Sequence, residues 1–248
     1  MLRGVKKAVF RVLCLGALCL GGLMAESNPK ELIFSGITIY TDKDFTRAKE
    51  YFEKACKSND AEKCKDLAEF YFNANDLKNA LEYYSKSCKL NNVEGCMLSA
   101  TFYNDMIKGL KKDKKDLEYY SKACELNYGD GCAILGDIYH NGEGVTQNFK
   151  KAFKYYSKAC ELNEALTCTL VGEFYRDGEG VAKDLKKAFE YSAKACELND
   201  AKGCYALAAF YNEGKGVAKD EKQTTENLEK SCKLGLKEAC DILKEQKQ

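Results

Sequence analysis

Apolar positions along this chain follow a helical period, and the helices themselves recur at a longer one. In the run Cys168-Thr-Leu-Val-Gly-Glu-Phe-Tyr175, a large apolar residue stands three places after the cysteine (Val171), a small one four places after (Gly172) and a tyrosine seven places after (Tyr175). The same places hold Leu67, Ala68 and Tyr71; Leu135, Gly136 and Tyr139; and Leu207, Ala208 and Tyr211. Spacings of three and four put these residues on one face of an amphipathic helix, helix A. Its small residue would let a second helix approach closely. That second helix, B, follows a turn. Asp184 sits where an N-cap belongs, and the run from Lys186 to Cys196 carries its own apolar stripe through Ala188, Phe189 and Ala195.

The longer period is marked by cysteine. A Cys-x7-Cys unit occurs six times, at Cys56/Cys64, Cys88/Cys96, Cys124/Cys132, Cys160/Cys168, Cys196/Cys204 and Cys232/Cys240. Successive units start 32, 36, 36, 36 and 36 residues apart, the signature of an array of helical hairpins. The pattern predicts six repeats across 26–235, at 30–59, 61–91, 93–127, 129–163, 165–199 and 201–235, and a C-terminal capping helix over 236–248. The first two repeats are four residues shorter and approach tetratricopeptide length. The third is irregular. Ser99 replaces an apolar residue, Met106–Leu110 replaces a glycine turn, and Asp116 stands where Ala48, Ala80, Ala152 and Ala188 pack. A buried acid is costly unless solvated or paired.

Each first cysteine falls in the last turn of a helix B and each second one opens the next helix A. A tight turn between them makes the helices antiparallel neighbours, so the flanking side chains can meet at disulfide distance. Zinc is the competing use of paired cysteines, but it favours Cys-x2-Cys spacing, four ligands and often histidine. We expect six disulfides and no metal or cofactor. The turns Gly142–Val145, Gly178–Val181 and Gly214–Val217 resemble phosphate loops superficially. They follow helix A rather than a strand, where left-handed C-cap geometry favours glycine.

Residues 1–25 read as a cleaved secretory signal peptide. Four cations (Arg3, Lys6, Lys7, Arg11) precede an apolar stretch from Val12 to Leu20, and Ala25 offers a small residue at the cut. The stretch is too short to span a bilayer comfortably. Leu18 before Cys19 is a poor fit to a lipid-modified cysteine. Cleavage would remove Cys14 and Cys19, leaving twelve cysteines, and no membrane association would follow it. The remainder holds 35 basic and 38 acidic residues. No basic patch is visible, which argues against nucleic acid as a partner.

The runs A-C-E-L-N-x3-G-C, L-G-x-x-Y, G-x-G-V and K-K-A-x-x-Y-Y-S-K-A-C together resemble the Sel-one-like repeat. The cysteine pairs narrow the resemblance to the secreted cysteine-rich (Hcp) proteins of helicobacters, over nearly the whole chain. It implies an all-α, right-handed α/α superhelical solenoid with one disulfide per repeat. It also implies penicillin binding or slow β-lactamase activity, and action of a secreted antigen on host cells.

The residues themselves carry no recognisable catalytic motif. A serine β-lactamase uses Ser-x-x-Lys with Ser-Asp-Asn and Lys-Thr-Gly elements. The sole Ser-x-x-Lys is Ser27–Lys30, beside the expected cleavage site, and neither supporting element occurs. The single histidine, His140, gives no metal cluster. Binding has a firmer basis. Positions +1, +5 and +8 from the second cysteine share one face of helix A, offset from the core stripe. They include Glu69, Asp137 and Glu173 at +5, with Thr101 and Ala209; Phe72, Asn104, His140, Arg176 and Asn212 at +8; and Tyr205 at +1. Such a face suits a peptide, a peptidoglycan-derived fragment or a host protein, and by resemblance a β-lactam.

Overall fold

The computed structural model describes residues 42–107 and 115–246. The expected signal peptide, Ser27, the helix A of the first repeat, and Lys108 to Leu110 lie outside the described residues. Within them the chain forms twelve helices: α1 (Asp42–Lys57), α2 (Ala61–Asn73), α3 (Leu77–Lys89), α4 (Val93–Ile107), α5 (Lys115–Glu125), α6 (Gly129–Asn141), α7 (Phe149–Glu161), α8 (Ala165–Asp177), α9 (Leu185–Glu197), α10 (Ala201–Glu213), α11 (Glu221–Lys233) and α12 (Lys237–Glu245). Helices α2 to α11 pack as five successive A/B hairpins, stacked as an α/α solenoid. α1 supplies a leading helix B and α12 a closing helix A.

One compact join links every helix B to the next helix A. After α7, Asn163 adopts a left-handed conformation (φ 69°). Its N–H donates to the carbonyl of Cys160, and the N–H of Glu164 donates to that of Ala159. This is a Schellman turn, with asparagine at the position that needs positive φ. Glu164 is at once the residue closing α7 and the N-cap of α8. Asn59, Asn91, Asn127 and Asn199 repeat the geometry at φ 62–69°, and Gly235 does so at 99°. Because one residue serves both helices, the first cysteine lies in the last turn of B and the second in the first turn of A.

All six pairs are bridged as expected: Cys56–Cys64, Cys88–Cys96, Cys124–Cys132, Cys160–Cys168, Cys196–Cys204 and Cys232–Cys240, with paired Cα atoms 4.4–4.8 Å apart. The cysteines are therefore consumed by disulfides rather than held for metal. Their depth is what a position beside a turn does not suggest. Cys64, Cys96, Cys132 and Cys204 are fully buried, at 0% exposure, so these bridges are core elements and not surface staples. The reason is helical spacing. Each of these cysteines precedes the small +4 residue and the +7 tyrosine by four and seven places, which puts its sulfur on the same inward face.

The A-to-B turns come in two lengths with one anchor. In the later repeats Gly142, Gly178 and Gly214 are left-handed C-caps, as their pattern predicts. The loop then closes when the B-helix N-cap donates its N–H to the +7 tyrosine carbonyl: Asn148 to Tyr139, Asp184 to Tyr175, Asp220 to Tyr211. The shorter second repeat reaches the same anchor, Asp76 to Tyr71, through the single left-handed residue Asn75. The Asp184 side chain accepts from the N–H of Lys187, confirming the expected cap.

The core follows the +3/+4/+7 stripe. Leu67, Leu135 and Val171 are fully buried, and Leu207 nearly so. At +4 the Tyr156 ring lies where a Gly136 Cβ would stand, so only a small residue fits there. Three +7 tyrosines stack on one from their own helix B, Tyr71 on Tyr83, Tyr139 on Tyr155 and Tyr175 on Tyr191, at 5.4–5.6 Å, while Tyr103 meets Tyr119 tilted at 6.3 Å and Tyr211 meets Phe189 edge-on at 5.3 Å. Successive B helices are tied by lysine. Lys86, Lys194 and Lys230 donate to the carbonyls of Cys56, Cys160 and Cys196 one repeat back, at 2.8, 2.7 and 2.6 Å. A cation at a helix C-terminus satisfies an end carbonyl and complements the helix dipole.

The irregular third repeat keeps the architecture. Ser99 is fully buried and donates to the Gly95 carbonyl at 2.7 Å. Asp116 is half-buried at the start of α5 and accepts from the N–H of Leu117. A carboxylate is favourable in a first helical turn, so the acid is tolerated where alanine packs elsewhere.

Candidate ligand groove

The +5 and +8 residues of five successive helices A share one side of the stack, and the structure shows what positions them. Beneath the +8 side chains Phe72 and His140 lies the +6 residue of the next repeat. Phe72 meets Phe102 edge-on at 5.3 Å, and His140 meets Phe174 at 5.9 Å. The +6 row (Phe70, Phe102, Ile138, Phe174, Phe210) was not part of the expected core stripe. Yet Ile138, Phe174 and Phe210 are buried. Each repeat carries an apolar residue just before its +7 tyrosine. Two adjacent large apolar positions on a helix imply two contact surfaces, one toward the repeat's own helix B and one toward the preceding repeat. The signal was present in the pattern.

At the N-terminal end, Glu69 is half-buried against Lys65. The Lys65 ammonium stands 3.1 Å from Glu62, 3.5 Å from Glu69 and 3.0 Å from Glu94 of the following helix A. Burial alone would lower this lysine, but hydrogen bonds to Glu94 and Glu62 hold it well above its usual range. Burial pushes the Glu69 carboxyl up, against the pull of Lys65. Phe72 beside them is 43% exposed, large for an apolar ring. Asn104 is half-buried on α4, and Thr101 is exposed.

At the centre, half-buried His140 sits among Phe149, Tyr156 and Phe174, with ring centroids 5.5, 6.3 and 5.9 Å away. The Tyr156 hydroxyl donates to Asp137 at 2.7 Å. Burial first, and then that bond, lift the Tyr156 phenol far above the ordinary tyrosine range, so it is a structural donor and not a nucleophile. Farther along, Glu173 is half-buried and Asn212 exposed. Exposed Arg176 forks onto Asp177 at 2.8 and 2.7 Å, and the guanidinium holds the Asp177 carboxyl below its usual range. Tyr205 is half-buried against the cluster of Ala208, Leu228 and Ala239 beneath α12.

The +1 position divides the expected face. Lys65 reaches the next repeat through Glu94, and buried Thr169 donates to Asp200, the N-cap of α10, at 2.7 Å. This position serves stacking, while +5 and +8 remain at the surface. The disulfide cysteines take no part in the groove. Cys64, Cys96, Cys132 and Cys204 are sealed in the core and offer a ligand neither a thiol nor an accessible sulfur. Buried serines are also structural. The hydroxyls of Ser87, Ser99, Ser192 and Ser231 donate to backbone carbonyls at 2.7–2.8 Å. Their protons are engaged by amide oxygens, and no general base activates them.

A Sel1 repeat model matches residues 15–60, 117–128, 129–164, 165–200 and 201–236, and a tetratricopeptide repeat model matches 66–93. HcpC of Helicobacter pylori is 55% identical over 78 residues, which are 32% of this chain and 27% of that protein. Beta-lactamase HcpA of H. pylori strain J99 is 54% identical over 71 residues, 29% of this chain and 28% of that protein. The chain thus spans little more than a quarter of the length of these curated relatives. Among solved structures, c5321, a protective antigen of uropathogenic Escherichia coli strains with an SLR fold, superposes with a TM-score of 0.66 at 26% identity, over 80% of this chain and 44% of that one. A Sel1 repeat protein from Oxalobacter formigenes superposes with a TM-score of 0.62 at 21% identity, over 87% and 84% of the two chains, a likeness of fold alone. One repeat model matched five times along a stack of disulfide-joined helical hairpins places this chain in the Sel1 repeat family.

Proposed function

We propose that the chain is a secreted or periplasmic scaffold whose helix-A face binds extended peptide segments, from host proteins or from peptidoglycan stem peptides. Six disulfides belong to an oxidising compartment. Among the described residues no helix is long and apolar enough to cross a membrane. The observation that supports binding is the surface row of +5 and +8 side chains, in which Phe72, Arg176 and Asn212 are exposed. Packed helices lie about 8–10 Å apart, and an extended peptide rises about 3.3 Å per residue. Each repeat would therefore read about three ligand residues, through amide, charged and aromatic groups in turn.

The test is an array of synthetic peptides and stem peptides probed with the oxidised protein, with affinities of the hits measured by fluorescence anisotropy. The double variant Asn104→Ala/Arg176→Ala should weaken binding by roughly tenfold or more while leaving Tm in place. Unchanged affinity would remove the groove assignment.

The name carried by HcpA supports a second reading, slow hydrolysis of β-lactam amides. The buried serines described above do not supply its nucleophile. The candidate that the Ser-x-x-Lys spacing offers is Ser27, followed by Lys30. Incubating the oxidised protein with a chromogenic cephalosporin, beside Ser27→Ala, decides the matter. Turnover lost in the variant supports this reading, and no turnover above buffer removes it.

A further inference from the structure

The six disulfides are alike in local geometry but not in cover. The ten cysteines of the first five bridges are all buried, none more than 4% exposed. Both cysteines of the sixth, Cys232 and Cys240, are only half-buried. The difference follows from the stack. Four of the inner bridges lie between two hairpins, as Cys160 and Cys168 lie within the cluster containing Val171, Phe174 and Tyr175, and the first, between α1 and the hairpin α2/α3, is packed with Phe52 and Leu67. The sixth joins α11 to α12, a nine-residue helix that buries a single residue, Ala239. α11 does not depend on the bridge for its own docking. Lys230 and Ser231 donate to the carbonyls of Cys196 and Ala201, and Leu228 is buried beneath it.

We propose that Cys232–Cys240 is a site of thiol–disulfide exchange with external dithiols, and that its reduction releases α12 while the rest of the solenoid stays folded. The chemistry is a two-electron transfer. A thiolate of the dithiol attacks one sulfur of the bridge, and the other cysteine departs as a thiolate and is protonated. The second thiol of the reductant then attacks its own sulfur in the mixed disulfide. This frees the second cysteine and leaves the reductant as a disulfide. Accessibility selects which bridge reacts, and a short helix with little buried surface opens at low free energy. Release uncovers the cluster of Ala208 and Leu228 and the flank of Tyr205, an apolar end able to accept another helix.

The experiment uses the full oxidised chain under native conditions with limiting dithiothreitol. It is quenched by iodoacetamide at intervals and analysed by peptide mass spectrometry. Cys232 and Cys240 should be alkylated about tenfold faster than any other pair, and trypsin should gain cleavage at Lys237 over the same interval. Comparable rates at all six bridges, or an inner bridge reacting first, would overturn the exchange site. Labelling of the pair without new cleavage at Lys237 would overturn the release of α12. The variant Cys232→Ser/Cys240→Ser should stay helical, lose the fast phase of thiol labelling and be cut at Lys237 without reductant. A fast phase that persists there would also overturn the proposal.

Discussion

The Lys194 ammonium, 2.7 Å from the carbonyl of Cys160, shows how much of this fold is specified one side chain at a time. It belongs to a Lys-x-Cys pattern found before every first cysteine. The pattern is plain in the chain, but its partner is thirty-four residues away and only the stacked geometry reveals it. Lys194→Met keeps the aliphatic stem and removes the donor. It should cost about 1 kcal/mol, a charged hydrogen bond discounted for partial exposure. Urea unfolding checks this: the midpoint falls and the slope m is unchanged. The tyrosines make a second prediction. Burial, and then the charge of Glu69, push the Tyr84 phenol up to about 12 from an ordinary 10.0, and Tyr156 is shifted in the same direction. In the unfolded chain both ionise near pH 10, so above that pH the native state binds more protons. Stability is therefore full below about pH 10 and is lost as pH rises toward 12. Tyr84→Phe should flatten that alkaline decline, read as urea midpoint against pH.

At the scale of the element, helix caps were the most legible part of the sequence. Asp184 and the glycines after helix A fell where capping chemistry places them. The asparagine three places after each of the first five leading cysteines was equally regular, but its left-handed role emerges only once helix ends meet in a Schellman turn. The two glycines of each turn are not equivalent. Gly178 caps α8 at φ 81°, and a Cβ there would meet the Cβ and backbone nitrogen of Lys183 at 3.3 and 3.5 Å, close to ordinary contact. Gly180, at φ 66°, lies against the backbone of Phe149 in the preceding repeat, where a Cβ would stand 2.5 Å from the carbonyl carbon. Alanine costs about 1–2 kcal/mol at either site for the left-handed backbone alone. Gly180→Ala should add a further 1–3 kcal/mol, roughly, because its Cβ would overlap the Phe149 backbone at 2.5 Å, whereas at Gly178 the nearest atom is 3.3 Å away. Comparing the thermal midpoints of the two variants tests whether the second glycine is an inter-repeat contact. A sequence pattern could suggest its turn but not its neighbour.

For the whole molecule, the bridges determine how far unfolding can spread. Each closes a nine-residue loop, and loop-closure entropy assigns it about 2–3 kcal/mol. Six such bridges amount to an upper figure on the order of 15 kcal/mol, comparable with the entire stability of an ordinary domain. The fully reduced chain should therefore lose its helical circular dichroism at 37 °C. A single inner bridge makes the sharper prediction. In a solenoid each repeat contacts only its neighbours, so stability is a chain of local terms. Cys160–Cys168 joins the hairpin α6/α7 to α8/α9 near the middle of the described stack. Cys160→Ser/Cys168→Ser removes that coupling while leaving the five other bridges, the Lys194 bond to the residue 160 carbonyl and the tyrosine stacks in place. The variant should remain folded at 25 °C. Its urea transition should broaden and split into two, reporting the N-terminal and C-terminal halves separately, whereas the oxidised parent should unfold in one step. A single sharp transition in the variant would mean that hairpin packing, not the disulfide, carries cooperativity between repeats. The rows of tyrosine and phenylalanine would then be the physical link along which the groove is held in register.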